Sequence, residues 1–131
     1  MQPASVLLVE PHDDERIMYA DYLRHLGIRT FTSGTAADAL RAAFERAPDV
    51  IVLEPCLGGS TRAGLAFIRT TKSDVHTRGI PIVVVSGHAL DYECDAAIDA
   101  GCDAFFAKPF PPESLGLVVE RFVRTERRRG G

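Results

Sequence analysis

Five short apolar runs, each followed by a stretch with helical spacing, constrain this chain more than any other feature. The runs fall at residues 5–9 (SVLLV), 28–31 (IRTF), 49–53 (DVIVL), 82–86 (IVVVS) and 104–107 (AFFA). The first, third and fourth are almost purely aliphatic, as expected of strands covered on both faces of a parallel sheet. Between the runs the period changes. In residues 13–26, Met18, Tyr19, Tyr22, Leu23 and Leu26 make one apolar stripe, Asp13 and Asp14 put negative charge at a helix start, and Gly27 supplies a left-handed stop. Thr35 with Asp38 has the form of a capping box opening a helix through residue 47, with Ala36, Leu40, Ala43 and Phe44 inward and Pro48 behind it. Residues 65–71 give a third helix after a glycine-rich loop. Tyr92, Ala96, Ala97 and Ile98 lie on a fourth that stops at Gly101. Leu115, Val118, Val119, Phe122 and Val123 share one face of a fifth, ending near residue 125.

Strand and helix thus alternate five times, and short right-handed crossovers turn that order into an α/β fold, a doubly wound (βα)5 five-stranded parallel sheet with helices on both sides. At 131 residues and 46% hydrophobic, one domain accounts for residues 1–126, with 127–131 as a basic tail. The formal charge of −3 argues against a nucleic-acid-coating surface. No apolar stretch is long enough to span a bilayer, and no basic segment leads into an apolar core at the N-terminus, which points to a cytoplasmic protein. Cys56, Cys94 and Cys102 form no CxxC pair and no metal-ligand spacing with the histidines, so structural burial is the expectation for each.

In an open sheet of this kind the functional crevice lies beyond the carboxyl ends of the strands, where the winding reverses. Glu10-Pro11 follows the first strand, Glu54-Pro55 the third, Ser86-Gly87 the fourth and Lys108-Pro109 the fifth. Singly, each has an ordinary explanation as a solvated strand end, a loop hydroxyl or a surface cation. Together, two acids, a hydroxyl and an amine converge on one rim, where opposite charges stabilise one another and select anionic ligands.

The segments VLLVEPHDDER, DVIVLEPCLGG, PIVVVSGHA and GCDAFFAKPF resemble the receiver domain of two-component response regulators over residues 4 to 125. That resemblance implies a flavodoxin-like sheet of order 2-1-3-4-5. It implies a phosphoacceptor at the end of the third strand, a magnesium ion held by acids after the first, a hydroxyl and a lysine before a cis-proline that bind the phosphate, and an aromatic that rotates inward. On this sequence those roles map to Glu54, to an acidic pocket of Glu10 with Pro11, to Ser86, to Lys108 with Pro109, and to Phe105. The implied partners are a histidine kinase or a downstream effector, together with self-association through the fourth helix, fifth strand and fifth helix.

Three departures fall on the chemistry. Glu54 replaces an aspartate, and its extra methylene displaces the carboxylate by about 1 Å, enough to cost around a hundredfold in a positioned transfer. Pro11 stands where the family carries its second metal-binding acid and has no side-chain oxygen for a hard cation. Asp13 is a second candidate for that pocket, with helix capping as its other reading. The loop from Glu54 to Gly64 spans ten positions, longer than the family's interval, and lacks its Pro-x-x-Asp-Gly pattern. No cofactor is therefore expected; magnesium binding through Glu10 and Glu54 would be weak.

Ser86, Phe105, Lys108 and Pro109 match in full, so Glu54 paired with Lys108 offers a built-in negative group holding the switch region. The competing reading is a degenerate site whose glutamate satisfies a leftover lysine. The chain reads as a non-enzymatic signalling module, with an active phosphotransfer receiver as the alternative. A nucleotide-binding or hydrolytic domain ranks below both, since no GxGxxG, Walker loop or GxSxG is present. A Ser86–His88 pair carries little weight, and a shift of one residue at the end of the first strand would bring His12 or Asp13 into the pocket.

Overall fold

The computed structural model describes residues 2–87 and 90–130. Ten elements alternate along the chain: β1 (Ser5–Val9), α1 (Asp13–His25), β2 (Arg29–Ser33), α2 (Ala36–Arg46), β3 (Val50–Leu53), α3 (Thr61–Ser73), β4 (Ile82–Ser86), α4 (Asp91–Ala100), β5 (Ala104–Ala107) and α5 (Pro112–Gly130). The strands form one parallel sheet of order β2-β1-β3-β4-β5, as the sequence led us to expect.

Side-chain alternation along each strand divides the interior into two cores. Val6, Leu8, Val50, Val52, Val83 and Val85 face α1 and α5, where Tyr19, Leu23, Leu115, Val119 and Val123 meet them. Leu7, Val9, Ile51, Leu53, Ile82 and Val84 face α2, α3 and α4, against Ala39, Ala43, Phe67, Ile68 and Ala97. Double burial explains why β1, β3 and β4 carry no polar residue between their ends, whereas the edge strand β2 carries Thr30 and Thr32. The Tyr19 hydroxyl, on α1, donates to the Phe110 carbonyl at 2.7 Å and ties that helix to the segment after β5.

Local signals behave as read in several places. The Thr35 side chain accepts from the Asp38 amide, and Gly27 and Gly101 take φ of +82° and +117° just past their helices. Four expectations need correction. Met18, Leu26 and Phe44 are 43%, 39% and 44% exposed, because Tyr19, Ala20 and Leu23 form the inward line of α1 and the small Ala39 and Ala43 that of α2. The Phe44 ring lies instead 6.4 Å from that of His76. Helix α3 begins at Thr61, where Ser60 accepts from the Arg62 amide, so part of the glycine-rich stretch is helical. Helix α5 continues to Gly130, beyond the expected end, and Arg127 donates to the Gln2 carbonyl at 2.8 Å. The cysteines are intermediate in exposure rather than buried; burial, with Asp103 and Cys94 adding, pushes the Cys102 thiol up to about 11. Among the described residues no helix is long and apolar enough to cross a membrane.

Gly64 fixes how closely α3 approaches the segment after β3. A Cβ there would fall 2.2 Å from the Pro55 carbonyl oxygen, whereas one at Gly79 would meet nothing within 4 Å. Gly64→Ala is expected to cost about 1–3 kcal/mol or more in urea unfolding, and Gly79→Ala to stay within about 0.5 kcal/mol. Equal stabilities for the two variants would contradict this packing.

Candidate functional site

The winding reverses between β1 and β3, whose last residues, Val9 and Leu53, are paired in register. The next residues, Glu10 and Glu54, therefore emerge side by side, and the Glu54 amide donates to the Val9 carbonyl at 2.9 Å. Strand parity turns both toward the α1 and α5 side, the same side as Leu8 and Val52. Lys108 shares that parity with Phe106, and its amide is held by the Ser86 carbonyl at 2.8 Å. The Lys108–Pro109 peptide is cis.

These three side chains meet in a nearly closed pocket. The Lys108 ammonium lies 2.6 Å from Glu10 Oε1, 3.1 Å from Glu15 Oε1 and 3.3 Å from Glu54 Oε1. Glu10 and Glu54 are 2% and 3% exposed, so neither carboxylate is a solvated strand end. Every oxygen of Glu54 is engaged: Oε1 also accepts from the Gly87 amide at 3.1 Å, and Oε2 accepts from the Cys56 amide at 3.2 Å. Glu10 Oε2 accepts from the His12 amide at 3.2 Å and lies 3.0 Å from His12 Nδ1. Burial opposes charge on the Lys108 amine, but the hydrogen bond and charge of Glu10, the charge of Glu54 and the hydrogen bond of Glu15 outweigh it, holding its pKa above the ordinary lysine value. The stability carried by this raised pKa is complete below the ordinary lysine range and is lost as pH rises from that range through the higher value of the folded state.

Asp13, expected in the pocket, is outside it. It opens α1, its side chain is 79% exposed, and it pairs with Arg16 one turn on. Glu15 enters instead, since two steps of about 100° along a helix carry it to the opposite side from Asp13. The sequence offered no direct signal for Glu15 beyond its place in the first turn. His12, the residue before the helix, is the other neighbour, raised from sequence only as the outcome of a one-residue shift at the end of the first strand and brought in here by the turn after β1 without such a shift. Pro11 contributes only its carbonyl, toward Arg16 Nη1 at 3.4 Å.

Ser86 and Phe105 have the opposite parity and sit on the far side of the sheet from the ion cluster. Both line a cavity of about 140 Å³ beneath α4, with Pro55, Leu65, Tyr92 and Ala96 among its walls. Ser86 is fully buried, and Phe105 is partly buried against the second core. The rim residues identified from sequence thus divide into a charged pocket and an apolar cavity back to back. His88 lies outside the described residues.

Lys108→Met would leave Glu10 and Glu54 facing each other with no cation. The expected loss is about 3–5 kcal/mol of unfolding free energy at neutral pH, shrinking on acidification because protonation of either carboxylate relieves the repulsion. A variant as stable as the parent at neutral pH would contradict the geometry.

Residues 6–120 match the response regulator receiver domain family. The polar-differentiation response regulator DivK of Brucella anthropi is 28% identical over 123 residues, covering 94% of this chain and 93% of DivK. The nitrogen assimilation regulatory protein NtrX of Azorhizobium caulinodans is 32% identical over 124 residues, 95% of this chain but 27% of NtrX. Among solved structures, the receiver domain of the sensor histidine kinase PA1611 from Pseudomonas aeruginosa, with a magnesium ion in its active-site cleft, shares the fold at a TM-score of 0.83 and 24% identity, covering 94% of this chain and 99% of that one. With a family match over most of its length and the strand order that the fold requires, this chain belongs to the response regulator receiver domain family of two-component signalling.

Proposed function

We propose that this receiver domain signals through protein–protein contact without being phosphorylated, with Glu54 standing where the family carries its phosphoacceptor aspartate. The observation that carries this reading is the state of the Glu54 carboxylate. Two backbone amides, from Cys56 and Gly87, and the Lys108 ammonium already converge on its two oxygens. Three of the roughly four acceptor sites of the carboxylate are thereby taken, two on Oε1 and one on Oε2, which hinders in-line approach to phosphorus, and the longer side chain adds a displacement of about 1 Å that a positioned reaction tolerates poorly. The same donors suit an anion that is permanently present. One carboxylate charge against roughly 1.5 to 2 on a phosphate makes the imitation partial.

Magnesium is implied by the family, and the PA1611 receiver domain holds one in its cleft. The donor set here does not fit it. Pro11 offers no side-chain oxygen, and the Lys108 ammonium bridges Glu10 and Glu54 at 2.6 and 3.3 Å, where a cation joining those carboxylates would sit. Lys108 is the resident cation of the pocket in this reading, and the domain acts as a binding module rather than an enzyme.

The partner, a histidine kinase or a downstream effector, would dock on the face formed by α4, β5 and α5, the face through which self-association is also proposed. Leu90, just before α4, and Tyr92 and Ile98, on it, are 56%, 68% and 54% exposed, apolar side chains available to a partner that meets this helix. Phe122, on the apolar stripe of α5, is partly buried against the core shared with α1.

Incubation with a small-molecule phosphodonor and magnesium, followed by intact mass, is expected to leave the chain unmodified. A gain of one phosphoryl group at Glu54 would establish the alternative, an active phosphotransfer receiver. Glu54→Ala is expected to change partner affinity, and an unchanged affinity would favour the degenerate-site reading.

A further inference from the structure

Two carboxylates at the mouth of the pocket are bridged twice, by different groups on different oxygens. Glu10 and Glu15 present Oε1 to the Lys108 ammonium at 2.6 and 3.1 Å. They present Oε2 to His12 Nδ1 at 3.0 and 3.2 Å. Lys108 is 12% exposed and seals the inner side, while the outer side opens to solvent past His12, which is 64% exposed.

We propose that Glu10, His12 and Glu15 form a binding site for a divalent transition metal ion of the zinc class, on the solvent side of the pocket and separate from the space between Glu10 and Glu54. The imidazole is what distinguishes the site: one nitrogen with two carboxylate oxygens suits zinc, while magnesium prefers oxygen alone. The spacing suits it too. All three ligand atoms lie within 4.8 Å of one another. At metal–ligand distances of about 2.0–2.2 Å, tetrahedral geometry needs ligand atoms about 3.3–3.6 Å apart. The two nitrogen–oxygen separations, 3.0 and 3.2 Å, are within a few tenths of an ångström of that edge.

Charge supplies an independent reason. Glu10, Glu15 and Glu54 bring three carboxylates to a single ammonium, so the cluster keeps an excess of negative charge that a second cation on the open side would offset. The metal would take the Nδ1 lone pair of a neutral imidazole that carries its proton on Nε2, and any further proton on the ring leaves to solvent. Lys108 keeps its own oxygens throughout, so the ammonium and the metal do not compete. The fourth position faces water. The His12 amide, donating to Glu10 Oε2 at 3.2 Å, fixes the turn that holds imidazole and carboxylate together.

The test is titration of the full chain with zinc chloride by calorimetry, alongside His12→Ala, Glu15→Gln and a His25→Ala/His76→Ala control. One saturable site is expected, weakened at least about tenfold by either of the first two changes and unaltered in the control. Millimolar magnesium should leave the isotherm unchanged. In parallel, the His12 Nδ1 nitrogen resonance should shift on zinc addition, a readout that does not depend on any variant folding. Absence of zinc binding, binding that survives His12→Ala, loss in the control, displacement by magnesium, or an unmoved Nδ1 resonance would each overturn the assignment. None of these outcomes depends on whether Glu54 accepts phosphate.

Discussion

The ammonium of Lys108, held between three carboxylates at the carboxyl edge of the sheet, is the interaction on which the rest of the site depends. Glu10 and Glu54 are almost wholly excluded from water, and a buried carboxylate is tolerable only when a cation and hydrogen-bond donors compensate it. Both conditions are met: one lysine reaches both acids, the backbone amides of His12 and Cys56 occupy their other oxygens, and the Gly87 amide shares Oε1 of Glu54 with the lysine. A pocket satisfied in this way has little to gain from a further ion in its centre.

Sheet geometry delivers this arrangement. Parallel pairing of β1 with β3, and of β4 with β5, brings the chain exits level, and the period of two sorts the side chains at those exits between the two faces. Glu10, Glu54 and Lys108 turn one way into the ion cluster; Ser86 and Phe105 turn the other way, toward the cavity under α4. The backbone of β4 and its following turn joins the two, because the Ser86 carbonyl holds Lys108 and the Gly87 amide holds Glu54. Any change in the charge of the pocket therefore bears directly on the strand that carries the cavity wall. For the docking through α4, β5 and α5 proposed above, this is a short physical route from the carboxylates to that face.

Much of the architecture was legible because doubly buried strands leave an unmistakable aliphatic record: the runs at β1, β3 and β4 could hardly be anything else. The rim residues could be identified because the alternation of elements names the edge at which to look. Helix faces were harder. Met18 and Phe44 are apolar yet exposed, since neighbouring Tyr19 and Ala43 are better placed to meet the sheet, and one step along a helix turns a side chain through about 100°. The same rotation hid the role of Glu15 and made Asp13 look suitable. The early start of α3 was obscured by Gly58 and Gly59 before it and Gly64 within it, although Gly64 is helical and is required by the nearby Pro55 backbone. Nothing in the linear pattern states that one lysine would bridge three acids; that emerges only from strand register combined with the entry angle of α1.

The most direct measurement is titration of the Lys108 side-chain nitrogen and adjacent carbon by nuclear magnetic resonance, with and without magnesium. An ammonium enclosed by Glu10, Glu15 and Glu54 should deprotonate well above the ordinary lysine value of about 10.4 and ignore magnesium at neutral pH. A lysine that titrates at or below that value, or whose resonances move when magnesium is added, would contradict the account.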